Sequence, residues 1–234
     1  MSFDISSDFQ GVFEGRQKIM VLAPHPDDES LACGTLLSRA FADAGAHVIC
    51  LTDGSASHPG SLLWRPWRLA QQREAEMIQA IANLGGGPDD LTWLGLEDAR
   101  LYQVDPVEVA ADLAARISDF GARHIFAPAP EDHHEDHQMT ARIAAEIRNL
   151  HPEWDYYSYP VWSRWDDPDF DQTVSRYDPV FLVAKDLGER KRAAINAHQS
   201  QLGRVVLDDP DGFVLPPDFV EKFITEDEVF WRMS

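Results

Sequence analysis

The sequence predicts an α/β protein: a three-layer, Rossmann-like fold with a mostly parallel sheet and an active site at the carboxyl ends of the strands. Three observations carry that expectation. Short apolar runs alternate with helical stretches, the first run is apolar without interruption, and His/Asp clusters stand directly after two of the runs. A strand covered by helices on both faces needs continuous apolar residues, where a half-exposed one would alternate.

Residues 18–24, KIMVLAP, meet that criterion and form the first strand; 29–45 form the first helix, with Gly45 placed to close it. Residues 46–54, AHVICLTDG, form a second strand, followed by the polar loop SASHPGSLLWRP and an amphipathic helix over 68–85 that Gly85 closes. DLTWLGL, 90–96, is a third strand, and 106–121 a third helix with Pro106 at its start. RHIFAPAP, 123–130, is a fourth strand; the loop EDHHEDH leads into a helix over 138–150. Residues 156–162 and 179–185 are further strands, and 189–198 a further helix. Beyond it the pattern weakens, and antiparallel edge strands are the expected remainder. The strand–helix alternation implies βαβ units, with the usual strand order 3-2-1-4-5.

A chain of 234 residues with 44% hydrophobic and 26% charged residues fits one soluble domain over 1–234. The net charge of −20 repels phosphate backbones and anionic lipid, which argues against nucleic-acid and membrane-surface partners. No apolar run is long enough for a membrane span, and the first residues lack the basic and apolar regions of a signal peptide. Cys33 and Cys50, without CxxC spacing, read as buried thiols. A cytoplasmic enzyme or binding protein is the expected class.

The chemistry gathers at strand ends. His25, Asp27 and Asp28 follow strand one, Asp53 follows strand two, and His133, His134, Asp136 and His137 follow strand four. With order 3-2-1-4-5, strands one and four flank the point where strand order reverses, where open α/β sheets bind ligands. A divalent cation there would cancel the repulsion among adjacent carboxylates, and two imidazoles with one carboxylate make a hydrolytic zinc set. Acids before a helix also simply cap it, so the pairing of two clusters carries more weight than either alone.

PHPDDE after strand one and HHEDH after strand four resemble the PIG-L/LmbE family of zinc-dependent de-N-acetylases. LTDG (51–54), REAE (73–76), LG (84–85), LGLEDARL (94–101), YPVW (159–162) and KRAAINAHQSQ (191–201) follow in the family's order. The resemblance covers roughly residues 18–201 and leaves 1–17 and 202–234 uncovered. It implies that His25, Asp28 and His137 bind zinc and that Asp27 is the base that deprotonates water. It implies that His134, oriented by Asp136, donates to the oxyanion, and that Arg73 contacts substrate hydroxyls. The implied substrate is a small N-acylated, most simply N-acetylated, amino sugar or its conjugate. Some relatives carry a tyrosine where this chain has Asp132, so no role is assigned there. Relatives often form homo-oligomers, and the state of this chain is open.

Aromatic residues beside acids in 158–171 suit a sugar site with Trp162 as the candidate wall, although a core Trp162 in an otherwise solvated loop is the commoner arrangement; Asp53 is a further substrate-side candidate. His58 reads as an exposed loop histidine, His198 as structural, and Glu29 as a helix starter. Fe(II) or Co(II) would also satisfy the ligand set. Two other classes compete: a non-haem Fe(II) oxygenase built on the His-x-Asp string, and a metal-containing sugar-binding protein without turnover. A nicotinamide enzyme is excluded by the missing GxGxxG.

Overall fold

The computed structural model describes residues 11–14, 16–183 and 188–233. Its elements run β1 (Ile19–Ala23), α1 (Asp28–Ala42), β2 (Ala46–Thr52), α2 (Pro66–Leu84), β3 (Leu91–Leu96), α3 (Pro106–Phe120), β4 (His124–Pro128) and α4 (Glu135–Leu150). Then come β5 (Asp155–Tyr159), α5 (Trp162–Asp166), α6 (Phe170–Val174), β6 (Val180–Leu182), α7 (Gly188–Ile195), α8 (Pro217–Thr225) and β7 (Glu228–Arg232). The sheet order is β3-β2-β1-β4-β5-β7-β6, so the expected 3-2-1-4-5 core is present. Strands β1 to β5 pair in parallel, while β7 runs antiparallel to both β5 and β6.

The continuous apolar character of β1 has the predicted cause. Ile19, Val21 and Ala23 pack into one core with α1, α2 and α8. Met20 and Leu22 face the opposite core, built with Leu113 and Ile117 of α3 and Ile143 and Ile147 of α4. Successive strand residues point to opposite faces, and here both faces are covered.

Several boundaries differ from expectation for identifiable reasons. Helix α2 starts at Pro66, whose fixed φ and missing N–H suit a first helical position. Helix α4 starts at Glu135, three residues early, because His134 acts as its N-cap; histidine is not among the usual capping residues, so the pattern hid it. Strand β5 stops at Tyr159 before Pro160, and the chain turns at once into α5. The C-terminal region supplies an antiparallel strand, but β7 lies between β5 and β6, and β6 holds the edge. Of the strand expected over 179–185, residues 180–182 form β6, and 184–185 lie outside the described residues, as do 1–10 and 15 of the N-terminal segment.

The C-terminal region is fastened by a buried ion pair. Lys191 Nζ donates to Glu228 Oε1 at 2.8 Å, and both side chains are fully enclosed. The same carboxylate accepts the N–H of Thr35 (2.6 Å) and of Leu36 (3.0 Å) in α1. One acid thus ties β7, α7 and α1 together. Removing one partner of such a pair leaves an uncompensated buried charge. Glu228→Ala is therefore expected to lose about 3–5 kcal/mol of stability in urea unfolding; a loss under about 1 kcal/mol would show that the pair is dispensable.

Candidate active site

Neighbouring strands β1 and β4 deliver the two His/Asp clusters to one place. His25 follows β1, Asp28 opens α1, and His134 and His137 lie at the start of α4. Asp28 Oδ2 stands 3.3 Å from His25 Nδ1 and 3.4 Å from His137 Nε2. Each ring is held from its far side: His25 Nε2 lies 3.2 Å from Asp136 and 3.3 Å from Asp98, and His137 Nδ1 lies 2.9 Å from Asp132.

These residues fit a divalent cation. Two ligands at about 2.1 Å from a tetrahedral centre stand about 3.4 Å apart, which is the spacing Asp28 keeps from both imidazoles. His137 Nε2 is buried and finds no hydrogen-bond partner among the described residues, its contact with Asp28 lacking hydrogen-bond geometry. Carboxylates on the far nitrogens are the usual support of metal-binding histidines, because they fix tautomer and ring orientation. Ring nitrogens of His25, His134 and His137 also fall within 4.8 Å of one another.

The charges agree with that reading. Burial lowers the affinity of His137 for a proton, but Asp28 and Asp132 outweigh it and raise its pKa to about 9. His25 is likewise opposed by burial, yet raised well above the usual value by Asp136, Asp28 and Asp98. Burial works against ionised Asp28 too, and the two histidines hold it far below the usual carboxylate range. Without metal, protons on two imidazoles supply the positive charge the carboxylates require.

His134 behaves differently. Burial, then the charges of His25 and His137, lower its pKa to about 4, so it is neutral near pH 7. The backbone N–H of Asp136 donates to His134 Nδ1 at 3.2 Å. The proton of the neutral ring therefore sits on Nε2. Asp136 was expected to orient His134 with its carboxylate; it does so with its N–H, and its carboxylate serves His25 and accepts N–H bonds from Ala99 and Leu101.

Asp27 occupies a backbone conformation that L residues rarely adopt, φ 156° and ψ −26°. Its N–H donates to Glu29 Oε2 at 3.0 Å. Glu29 is completely buried and pairs with His198 Nε2 at 3.0 Å, so it does more than start a helix. Arg73 Nη2 donates to Asp27 Oδ2 (3.2 Å) and to Pro26 O (2.9 Å), and Nη1 donates to Gly54 O (2.8 Å). Gly54, at φ 64°, leaves the guanidinium its space, since a Cβ there would stand 2.5 Å from Nη1. Burial raises the Asp27 pKa to about 6 against the opposing pull of Arg73.

A cavity of about 330 Å³ opens over this cluster, with Asp27, Asp28, Arg73, His134 and Trp162 among its walls. Gln201, Phe213 and Leu215 from the C-terminal region complete it. Trp162 lies nearly parallel to the His134 ring, 18° and 6.5 Å between centroids. Arg73 borders the cavity but commits both terminal nitrogens to protein acceptors. Asp53, expected on the substrate side, does not line the cavity: its carboxylate accepts the N–H groups of Ser55 and Asp98 and holds the loop. His58, expected to be exposed, is buried beside Ser57 and packs where Gly212 has no side chain. Asp98, Asp132 and the Glu29–His198 pair escaped the sequence reading. Asp98 lies inside the LGLEDARL string, but nothing local shows that its loop reaches His25.

A model of the PIG-L family, described as GlcNAc-PI de-N-acetylase, matches residues 20–148. The chain belongs to the PIG-L family. A curated relative, the 1D-myo-inositol 2-acetamido-2-deoxy-α-D-glucopyranoside deacetylase of Kineococcus radiotolerans, is 30% identical over 149 residues, 58% of this chain and 37% of the relative. The chain thus aligns with little more than a third of that protein. Among solved structures, a deacetylase triple mutant from the teicoplanin biosynthetic pathway superposes with TM-score 0.68 at 20% identity, covering 92% of this chain and 97% of that one. The N,N'-diacetylchitobiose deacetylase of Pyrococcus horikoshii gives TM-score 0.67 at 23% identity, covering 97% and 87%. At these identities the structures establish the fold: the PIG-L chain has the Rossmann-like architecture of both.

The raised pKa of Asp27 has a measurable sign. A carboxylate that binds its proton more tightly when folded lowers stability as pH rises from the unfolded value, about 4, to the folded value, about 6. In the metal-free protein, Asp27→Asn should gain stability over wild type across that interval and keep a constant advantage above it. Thermal melts at pH 4, 6 and 8 read this; a pH-independent difference would contradict the shift.

Proposed function

We propose that this PIG-L protein is a zinc-dependent hydrolase that removes an N-acetyl group from an amino sugar or amino-sugar conjugate. The observation that carries the proposal is the Asp28 carboxylate poised 3.3 and 3.4 Å from two imidazole nitrogens, one of them unpartnered, at the floor of a cavity beside Asp27. His25, Asp28 and His137 would hold the cation; this ligand set also accepts Fe(II) or Co(II). Bound there, a divalent ion supplies Lewis acidity, acidifying water and polarising the amide carbonyl.

The protein's own groups supply the rest. Asp27 takes a proton from the water that attacks the carbonyl carbon. His134, neutral and carrying its proton on Nε2, donates to the oxygen that becomes negative in the tetrahedral intermediate. A helix N-terminus disfavours a charged imidazole, and this donor need not be charged. When the C–N bond breaks, protonated Asp27 returns its proton to the leaving amine nitrogen, giving the amine and acetic acid, whose remaining proton passes to the amine or to solvent at neutral pH. A carboxylate with a pKa near 6 can both accept and release a proton close to neutrality. Arg73 aims Asp27 and offsets its burial. Trp162 offers an aromatic face to a sugar ring, which suits the amino-sugar deacetylase named among the relatives.

Residues 11–233 are read as one catalytic domain, since the C-terminal region supplies both a sheet strand and a cavity wall. Among the described residues no helix is long and apolar enough to cross a membrane. Two free, buried cysteines suit a reducing, cytoplasmic setting.

The test is acetate release from a panel of N-acetylated sugars, free, phospho-linked, lipid-linked and nucleotide-linked, with N,N'-diacetylchitobiose included. Asp27→Asn should keep metal and lose about 10²–10⁴-fold in kcat; unchanged turnover removes Asp27 as base. His137→Ala should lose metal to a mild chelator, and full retention would contradict its place in the ligand set. Because His25 and His137 carry protons in the metal-free site, zinc uptake should release protons, and affinity should rise with pH until His137 deprotonates near pH 9. Calorimetry in buffers of different ionisation enthalpy measures that release; none would mean that other atoms bind the ion.

A further inference from the structure

Asp132 stands immediately before the second motif, and its surroundings are unusual. It is fully buried, yet every contact of its carboxylate is with a donor. Oδ2 lies 2.9 Å from His137 Nδ1 and accepts the Val161 N–H at 3.0 Å. Oδ1 accepts the Ser163 N–H at 2.9 Å and the Ser163 hydroxyl at 2.5 Å. Val161 and Ser163 flank Trp162, so the same carboxylate holds the metal-side histidine and, on both sides, the backbone of the cavity's aromatic wall.

The sequence shows why this matters locally. Pro160 ends β5 and has no N–H to give, and Val161 enters the short helix α5 with no capping side chain of its own. The freed N–H groups at 161 and 163 need an acceptor in a buried place. Asp132, brought beside them by β4, is the acceptor. Burial penalises its charge, and the donors from His137 and Ser163 hold it ionised, below its usual pKa. A neutral amide could not replace it: Asn would turn an NH₂ toward either the His137 N–H or the Val161–Ser163 donors.

We propose that Asp132 is a positioning residue that couples metal binding to the substrate wall, orienting His137 toward the cation and fixing Trp162 over the cavity. The coupling has a direction in each half. His137 Nε2 has no hydrogen-bond partner among the described residues, so a cation held there in place of the proton would anchor that edge of the ring and keep its Nδ1–H fixed against Asp132. An anchored Asp132 in turn keeps the turn at 161–163 closed, so the metal-loaded protein presents a firmer Trp162 than the metal-free one. The inference rests on the metal site proposed above, though not on the identity of the substrate.

The test uses zinc as the probe and two readouts independent of turnover: zinc affinity by chelator competition, and amide hydrogen exchange of a peptide spanning 159–166. In wild type, zinc should slow exchange at Val161 and Ser163 several-fold. In Asp132→Asn, checked for folding by circular dichroism, zinc should bind about 10–100-fold more weakly, and its addition should no longer slow exchange there. Ser163→Ala removes only the hydroxyl; it should keep wild-type zinc affinity and exchange faster at 161–163, and it serves alone if Asp132→Asn does not fold. Wild-type zinc affinity in Asp132→Asn, zinc-independent exchange at 161–163 in wild type, or unchanged exchange in Ser163→Ala would each overturn the proposal. Wild type that binds no zinc would instead overturn the metal site itself.

Discussion

The site depends on a balance of buried charge. Asp28, Asp98, Asp132 and Asp136 are all buried around His25 and His137. Four carboxylates in a space shielded from water are tolerable only with positive charge among them. Protons on the two histidines satisfy that need, and a divalent cation could take their place. Each outer carboxylate also accepts backbone or hydroxyl hydrogen bonds: Asp98 from Ala56, Asp136 from Ala99 and Leu101, Asp132 from Val161 and Ser163. The loops that follow β2, β3 and β5 are therefore fixed by the same groups that orient the imidazoles.

Asp27 stands apart from that network of hydrogen bonds. It is paired with Arg73, which is itself anchored to Gly54 and Pro26, and its own N–H is held by Glu29. Adjacent in sequence, Asp27 and Asp28 end with opposite shifts: burial dominates the first, and two imidazoles dominate the second. Two neighbouring carboxylates driven apart in this way can divide the work, one serving as a ligand and the other as a proton carrier.

The cavity wall is not confined to the stretch matched by the family, which ends at residue 148. Trp162 comes from the turn after β5, and Gln201, Phe213 and Leu215 come from the region before α8. The Lys191–Glu228 pair and strand β7 hold that region against α1 and the sheet. The His/Asp floor of the cavity is thus built by local motifs at strand ends, whereas part of its wall comes from distant segments.

The sequence by itself determined the strand–helix alternation, the parallel core order and the meeting of PHPDDE with HHEDH. Those follow from hydrophobic periodicity and βαβ handedness, which act over short stretches of chain. It did not determine that α4 starts on a histidine cap, that Glu29 is buried against His198, or that Asp53 supports a loop. Nor did it place β7 inside the sheet. These outcomes are contacts between residues far apart in the chain: Asp98 reaches His25, Asp132 reaches Val161 and Ser163, and Glu228 reaches Thr35. No local pattern encodes which buried donor meets which acceptor; only the packed tertiary structure decides it, because a buried polar group must find its partner wherever the fold places one.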